Sequence, residues 1–449
     1  MFSYKFGGTS MGSAENITVV ADILTRNTEV KSVVVSAMSG VTDLLISAGK
    51  NAKEEKMEAV KTILHTITEK HFTAIETLVK NIDLQSEARG FIAFQIEKLY
   101  EFLEAITVIQ EISPRSYDQI VSVGEILSAY LLAMHLQDRG VQSEFVDLEN
   151  IVPEENKTVN RDFFEKVKEA LKNRIEPLLL AGKLPVITGF FGRIPGGIVG
   201  AVGRGYSDFT ASLVGSACNA EEIQIWTDVN GILSADPRIV SDAISLDTLS
   251  FEEASELANF GAKVIHPQTI WPAVQNSIPV RIKNTLNPEN SGTCITAAGK
   301  KTARAFKSVT AKKGITVITM HSFEMSGHGF MEKIFKIFSD YEISIDLIST
   351  SEATVSVTVE GTKPHLERAI KALSGFAKVE EKKNEAILSV IGSEMAGTPG
   401  VAGRIFTALG DAGISVKMIS QGATELNVSA IIHEEEIKTA IAAIHKSFF

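Results

Sequence analysis

Cysteine is nearly missing from this chain. Cys218 and Cys294 are the only two in 449 residues. That is too few for a disulfide framework or a thiolate metal cluster, and it suits a reducing, cytoplasmic setting. Positive charge is also scarce: 44 Lys and Arg stand against 55 Asp and Glu, a net charge of −11. Without a basic block the chain lacks the electrostatic footprint of a nucleic-acid or membrane-surface binder. Long hydrophobic runs are absent as well; a stretch such as 177–191 is short and is broken by Lys183, which argues against a membrane span. The first residues read as a charged strand and a glycine turn, so no secretory leader is expected. What remains is an ordinary globular composition, 44% apolar and 22% charged, in a chain long enough for about three domains.

Against this plain background one motif stands out at the start, Lys5-Phe6-Gly7-Gly8-Thr9-Ser10. Tyr4-Lys5-Phe6 reads as the end of a strand, and Gly7-Gly8 as a tight turn. Ser13 and Glu15 suit the start of a helix with Ile17, Val20 and Ile23 on its apolar face. A strand, a glycine turn and a helix N-terminus make an anion cradle, because backbone N–H groups converge where the helix dipole favours negative charge. Lys5 adds a mobile cation, so the expected ligand is a phosphate chain. A purely structural Gly-Gly turn with a solvated lysine is the competing reading.

Up to about residue 295, short β-branched runs at 32–36, 184–188, 223–227 and 280–283 alternate with amphipathic helices. The runs alternate poorly, as strands buried on both faces do, which predicts an α/β fold with a largely parallel sheet. From Met57 to Leu136 the apolar period becomes helical, and an insertion of long helices is expected to frame a site. Residues 284–301 read as a linker. Beyond it the chain repeats itself at an offset of 71: Gly329/Gly400, Ile334/Ile405, Asp340/Asp411, Ile343/Ile414 and Ile348/Ile419 match. Each copy suits a ferredoxin-like βαββαβ unit. The second copy lacks a strand, and a spare one at 304–312 is expected to complete it, so that the first copy is inserted within the second.

Five further segments carry polar chemistry. Gly203-Arg204-Gly205-Tyr206-Ser207-Asp208 places a fork-shaped donor between glycines, where a substrate carboxylate can bind in two-pronged fashion. Ser207 or Asp208 is expected to cap the helix that follows. Trp226-Thr227-Asp228-Val229-Asn230-Gly231 ends a buried strand in polar groups, at the sheet edge where ligands of open α/β folds bind. Phe260-Gly261-Ala262-Lys263-Val264 offers a second lysine after a glycine, and His266 reads as a core or capping residue. Ser36-Ala37-Met38-Ser39-Gly40-Val41-Thr42 and Val121-Ser122-Val123-Gly124-Glu125 break apolar elements with small residues. Glu125 in apolar surroundings needs a partner, either a substrate ammonium or a structural salt bridge.

Taken in order, KFGGTS, SAMSGVT, VSVGE, GFFG, GRGYSD, TDVNGIL…DPR, FGAKVIHP and the two C-terminal repeats resemble the monofunctional aspartokinases, in particular their lysine-sensitive subclass, over essentially the whole chain. The resemblance implies an amino-acid kinase fold, a largely parallel sheet sandwiched by helices, plus two α+β ACT modules. It places the catalytic domain at 1–295 with a helical insertion at about 51–115, the first ACT module at 313–384, and the second at 301–312 plus 385–449. It implies ATP- and Mg2+-dependent phosphorylation of the L-aspartate β-carboxylate, the first step toward lysine, threonine and methionine. Lys5, Asp208 and Lys263 would be catalytic. Lys5, Phe6, Gly7, Gly8, Ser39, Thr227, Asp228, Leu233, Arg238, Lys263 and Val264 would bind ATP, with Leu233 standing where the family often has tyrosine. Thr42, Glu125, Phe190, Arg204, Gly205, Tyr206, Ser207 and Asp208 would surround aspartate, Arg204 on the α-carboxylate and Glu125 on the α-ammonium. No protein metal ligand is implied; Mg2+ would ride on the ATP phosphates. Feedback inhibition, with lysine as the effector, would act at Met325, Gly327, Phe330, Met331, Ile345, Asp346, Ser351 and Glu352 of a homodimer joined through its ACT domains. Neither nucleic acid nor membrane is an implied partner. A glutamate- or acetylglutamate-type kinase, or a non-catalytic amino-acid sensor, remains the alternative.

Overall fold

The computed structural model describes residues 1–149, 151, 161–190, 196–198, 205–261, 267–300, 306–321, 329–361 and 365–449. They form two compact units, one built from 1–232, 247–251 and 265–299, the other from 233–246, 252–264 and 300–449.

The first unit is organised by an eight-stranded sheet in the order β3-β4-β2-β1-β5-β7-β8-β6. Its strands are β1 (Phe2–Phe6), β2 (Val30–Val35), β3 (Ser143–Val146), β4 (Leu184–Thr188), β5 (Glu222–Thr227), β6 (Thr248–Ser250), β7 (Val280–Asn284) and β8 (Thr293–Thr296). Pairing is parallel from β3 to β7, and β7 with β8 is antiparallel. The stretch expected to be a linker therefore contributes β8, which pairs with both β6 and β7. Its Thr293-Cys294-Ile295 run is short and only weakly apolar, but Thr293 and Ile295 are fully buried. Val33, Val34 and Val35 are likewise sealed on both faces, which explains why their run does not alternate. Parallel pairing brings the carboxyl ends of β1, β2, β4 and β5 to one edge.

Helices cover this sheet. α1 (Ala14–Arg26) follows the glycine turn, and its N-cap Ser13 accepts from the Asn16 N–H. Ser13→Ala is expected to lower stability by about 1 kcal/mol, the usual cost of losing such a cap, read as a shift in the urea midpoint. The insertion comprises α2 (Val41–Lys53), α3 (Met57–Leu78), α4 (Ile82–Ile109) and α5 (Pro114–Asp138). α5 is long and apolar enough to cross a membrane, yet 94% of its most apolar window is buried inside the unit. It is the core helix of the insertion. His135 on α5 bonds the Leu78 carbonyl at the end of α3. α6 (Arg161–Leu180), α7 (Tyr206–Ala217) and the short α9 (Trp271–Gln275) complete this unit; α8 (Phe251–Asn259) lies in the second unit from residue 252 on.

The second unit holds a six-stranded antiparallel sheet, β10-β11-β9-β12-β14-β13. Its strands are β9 (Ser308–His321), β10 (Ile345–Thr350), β11 (Thr354–Glu360), β12 (Lys378–Ile391), β13 (Met418–Gln421) and β14 (Asn427–His433). α10 (Phe330–Asp340), α11 (Leu366–Leu373), α12 (Val401–Asp411) and α13 (Ile437–Phe448) complete the two repeats. Residues 308–312 of β9 pair with 387–391 of β12, at the start of the second repeat, whereas 315–321 pair with β11 and 317–321 with 378–382 of β12. The two strands expected on either side of residue 312 are thus one continuous strand, with Gly314 at φ 71° where the register changes. The segments 233–246 and 252–261 pack within this unit. Lys307 and Glu253 form an ion pair at 2.8 Å with side chains 2% and 0% exposed, and Glu253 also accepts from the Ser393 N–H. Both charges are thereby compensated, as burial demands.

Candidate active site

Lys5 stands near the carboxyl end of β1, between β2 and β5. The chain then turns through Gly7, whose N–H bonds the Trp226 carbonyl, and through Gly8, where an added Cβ would press on the Ala37 carbonyl. Ser10, on the same turn, bonds Thr285 at 2.7 Å and the Trp226 carbonyl. Sequence reading named this serine within the motif but gave it no task; it fixes the turn against β5. Trp226 itself is packed between Tyr4, Phe6 and the Lys283 ammonium.

The Lys5 ammonium lies 2.6 Å from Asp208 Oδ1, with both side chains largely buried. The contact is close but lacks hydrogen-bond alignment, and Asp208 Oδ1 has no such bond among the described residues. Asp208 sits in the first turn of α7. The N-cap of that helix is Gly205, with no side-chain cap. The expected capping by Ser207 or Asp208 does not occur, because both side chains are engaged elsewhere: Ser207 Oγ meets Ser36 Oγ at 3.0 Å, and Asp208 faces Lys5.

Glu125 completes the cluster from α5. It is 2% exposed, and burial raises its pKa to about 8, against the opposing pull of Lys5, the Tyr206 hydroxyl and a Phe190 backbone hydrogen bond. Its Oε2 is buried without a partner among the described residues. An unpartnered buried carboxylate oxygen is costly unless something comes to meet it. Gly189, between β4 and Phe190, keeps the space open: a Cβ there would lie 2.6 Å from Ser207 Cβ and 3.0 Å from Glu125 Oε1. Gly189 opens the GFFG motif, where the sequence assigns it no task, although a glycine just after a buried strand is a recognisable signal of close approach. Nearer the start of α5, Asp118 accepts from the Ile198 N–H at 2.6 Å.

Lys5, Glu125, Phe190, Tyr206, Ser207 and Asp208 are therefore brought together. Thr42 is in the first turn of α2 behind Gly40, and the Ser39 carbonyl accepts from Lys70. Thr227 and Asp228, at the carboxyl end of β5, bond each other; Thr227 is half-buried and Asp228 exposed. Leu233 and Arg238 belong to the second unit, where Leu233 bridges Ser245 and Arg238 pairs with Asp236. Arg204, Lys263, Val264, Met325 and Gly327 lie outside the described residues.

In the first repeat, Phe330 opens α10 behind Gly329, whose φ is 86° and which leaves the helix start without a side-chain cap. Met331 is half-buried, and Ile345 and Asp346 begin β10. Ser351 bonds Thr354, and Glu352 is exposed. Asp346 is not solvated: Lys312 Nζ lies 2.8 Å from its Oδ1. Lys312 lies 34 residues away, in the segment the repeat pattern assigns to the other module, so no local signal links it to Asp346.

The amino acid kinase family profile matches residues 4–284, and the ACT domain profile matches 324–375 and 388–448. The chain is 36% identical to the aspartokinase of Schizosaccharomyces pombe, covering 98% of this chain and 91% of that one. It is 37% identical to the chloroplastic aspartokinase 1 of Arabidopsis thaliana, over 99% and 79%. Among solved structures, E. coli aspartokinase III in complex with aspartate and ADP (R-state) matches at 30% identity and TM-score 0.82, over 100% of this chain and 99% of that one. The same enzyme with lysine and aspartate (T-state) matches with TM-score 0.79.

Proposed function

The chain belongs to the aspartokinases of the amino acid kinase family, and from that membership we propose how its residues divide the work of phosphorylating aspartate. The activity is aspartate kinase: ATP donates its γ-phosphoryl group to the β-carboxylate of L-aspartate, giving 4-phospho-L-aspartate and ADP. One carboxylate oxygen bonds to phosphorus as the bond to the ADP oxygen breaks. With a pKa of about 3.9 the nucleophile is already ionised, so no general base is needed. The difficulty is repulsion between an anionic nucleophile and an anionic phosphate chain, and positioned positive charge relieves it.

The observation that carries the assignment is the buried cluster of Lys5, Asp208 and Glu125 at the carboxyl end of β1. Lys5 and the N–H groups of the Gly7-Gly8 turn take the transferring phosphate, with Lys263 as second cation. Glu125, beside Tyr206 and Phe190, receives the α-ammonium, and Arg204 the α-carboxylate. Ser39, Thr227, Asp228, Leu233, Arg238 and Val264 serve the nucleotide. Mg2+, when bound, would ride on the ATP phosphates and neutralise their charge, needing few ligands from the protein. The two free cysteines suit a reducing compartment such as the cytoplasm.

Lysine is the proposed inhibitor, bound by the first repeat between the start of α10 and Asp346. A homodimer joined through the repeats is proposed on the edge strands β10 and β13, which leave Ile348 and Ile419 41% and 49% exposed. Hydroxylamine trapping of the acyl phosphate with aspartate, glutamate and acetylglutamate tests the substrate; signal with aspartate alone is expected. In the same assay Asp346→Asn should raise the half-inhibitory lysine concentration by about tenfold or more, as expected from losing a charged partner. Inhibition by threonine but not lysine would remove the effector assignment and leave the kinase assignment in place.

A further inference from the structure

We propose that Lys312 is an internal counter-ion of the effector pocket: its ammonium holds the Asp346 carboxylate that a free lysine side chain needs, and so sets the concentration at which the pocket fills. This rests on reading the first repeat as a sensor of a cationic amino acid. Lys312 Nζ lies 2.8 Å from Asp346 Oδ1 and 3.7 Å from Glu360 Oε2. Lys312 and Asp346 are each 19% exposed, and Glu360 is 64% exposed. Asp346 Oδ2 is buried and has no hydrogen-bond partner among the described residues. One ammonium and two carboxylates leave a net charge of −1, so the group attracts one further cation.

A second ammonium on Asp346 stands close to Lys312 Nζ, where partial burial weakens screening between like charges. Effector binding therefore works against Lys312, whose hold on Oδ1 must loosen. Glu360, on β11, gives the displaced ammonium an exposed partner.

The second repeat supplies an internal comparison. The residue 71 positions after Asp346 is Lys417, and its Nζ reaches both carboxylate oxygens of Glu385, which is 3% exposed. The charges are exchanged between strands, and neither oxygen is left over. That pair is closed. The pair in the first repeat keeps one oxygen open and a second carboxylate in reach, as a displaceable counter-ion requires.

Lysine binding to the full-length chain and to Lys312→Met and Lys312→Arg is measured by titration calorimetry, with norleucine, which lacks the side-chain amine, as the second ligand. Methionine keeps the aliphatic stem that packs along the strand, and thermal melts confirm that each variant is folded. The lysine Kd is expected to fall about tenfold or more in Lys312→Met. It should stay near the parent value in Lys312→Arg, and norleucine should gain nothing. If the parent chain binds lysine and Lys312→Met binds it equally or more weakly, the counter-ion role is overturned and the sensor reading stands. If none of the three binds lysine, both fall.

Discussion

Lys5→Met is expected to lower kcat by about two to three orders of magnitude, the cost of removing one preorganised electrostatic group from a water-poor site. The aspartate KM should rise as well, because Lys5 opposes the upward shift of Glu125 and its loss leaves fewer sites with an ionised carboxylate. Lys5 precedes a glycine turn at a helix start. Lys5 is 7% exposed, so its charge is poorly screened, and its partner Asp208 meets it at 2.6 Å without hydrogen-bond alignment. An ammonium with three rotatable N–H groups can offer charge to an arriving phosphate while it stays beside Asp208. Because the nucleophile is already anionic, the charge matters most where negative charge is concentrated between nucleophile and leaving group, so the larger loss falls on kcat. Lys5→Arg keeps the charge but not the compact ammonium and should recover only part of the rate. Steady-state kinetics decide: near-normal kcat in Lys5→Met, or a loss confined to KM, would remove Lys5 from the chemistry.

Why the catalytic half was easier to read than the regulatory half follows from how each is built. The anion cradle is local: strand, glycine turn and helix lie within residues 2–26, and their chemistry is visible in a short window. β4 is marked by a strong run and falls where the sequence predicts it. The contacts that close the site are not local. Ser207 was expected to cap its own helix, but its hydroxyl is used by Ser36, 171 positions away. Gly189 becomes legible only when Ser207 and Glu125 are seen on either side of it. β8 hides in a weakly apolar stretch because its burial comes from β6 and β7, not from its own pattern. In the second unit, β9 and β12 each serve both repeats, so Lys312 pairs across a boundary that the repeat itself suggests.

The aspartate KM is expected to fall as pH rises from 6 to 8 while the ATP KM stays level, and Glu125 is the reason. Burial holds the Glu125 carboxyl protonated to about pH 8 in the empty site, with the Lys5 ammonium, the Tyr206 hydroxyl and a Phe190 backbone bond only partly opposing it. An α-ammonium is bound by the carboxylate, not by the neutral acid. Below pH 8 the enzyme must therefore release a proton as aspartate binds, and the competent fraction grows with pH. With ionisation near pH 8, about a tenth of empty sites are competent at pH 7 and about a hundredth at pH 6, so apparent affinity improves about tenfold across that unit. Above pH 8 the gain ends. Calorimetry in buffers of different ionisation enthalpy should show close to one proton released per aspartate bound at pH 7. Glu125→Gln removes the titrating group and leaves a buried amide facing the ammonium. The pH dependence should vanish, and kcat/KM for aspartate should drop by about 2–5 kcal/mol, roughly thirty- to several-thousand-fold, the range for truncating one member of a buried charge pair. A glutamine variant that keeps the same pH profile would assign the titration to another group, and a level profile in the parent enzyme would mean that Glu125 is already ionised before aspartate arrives.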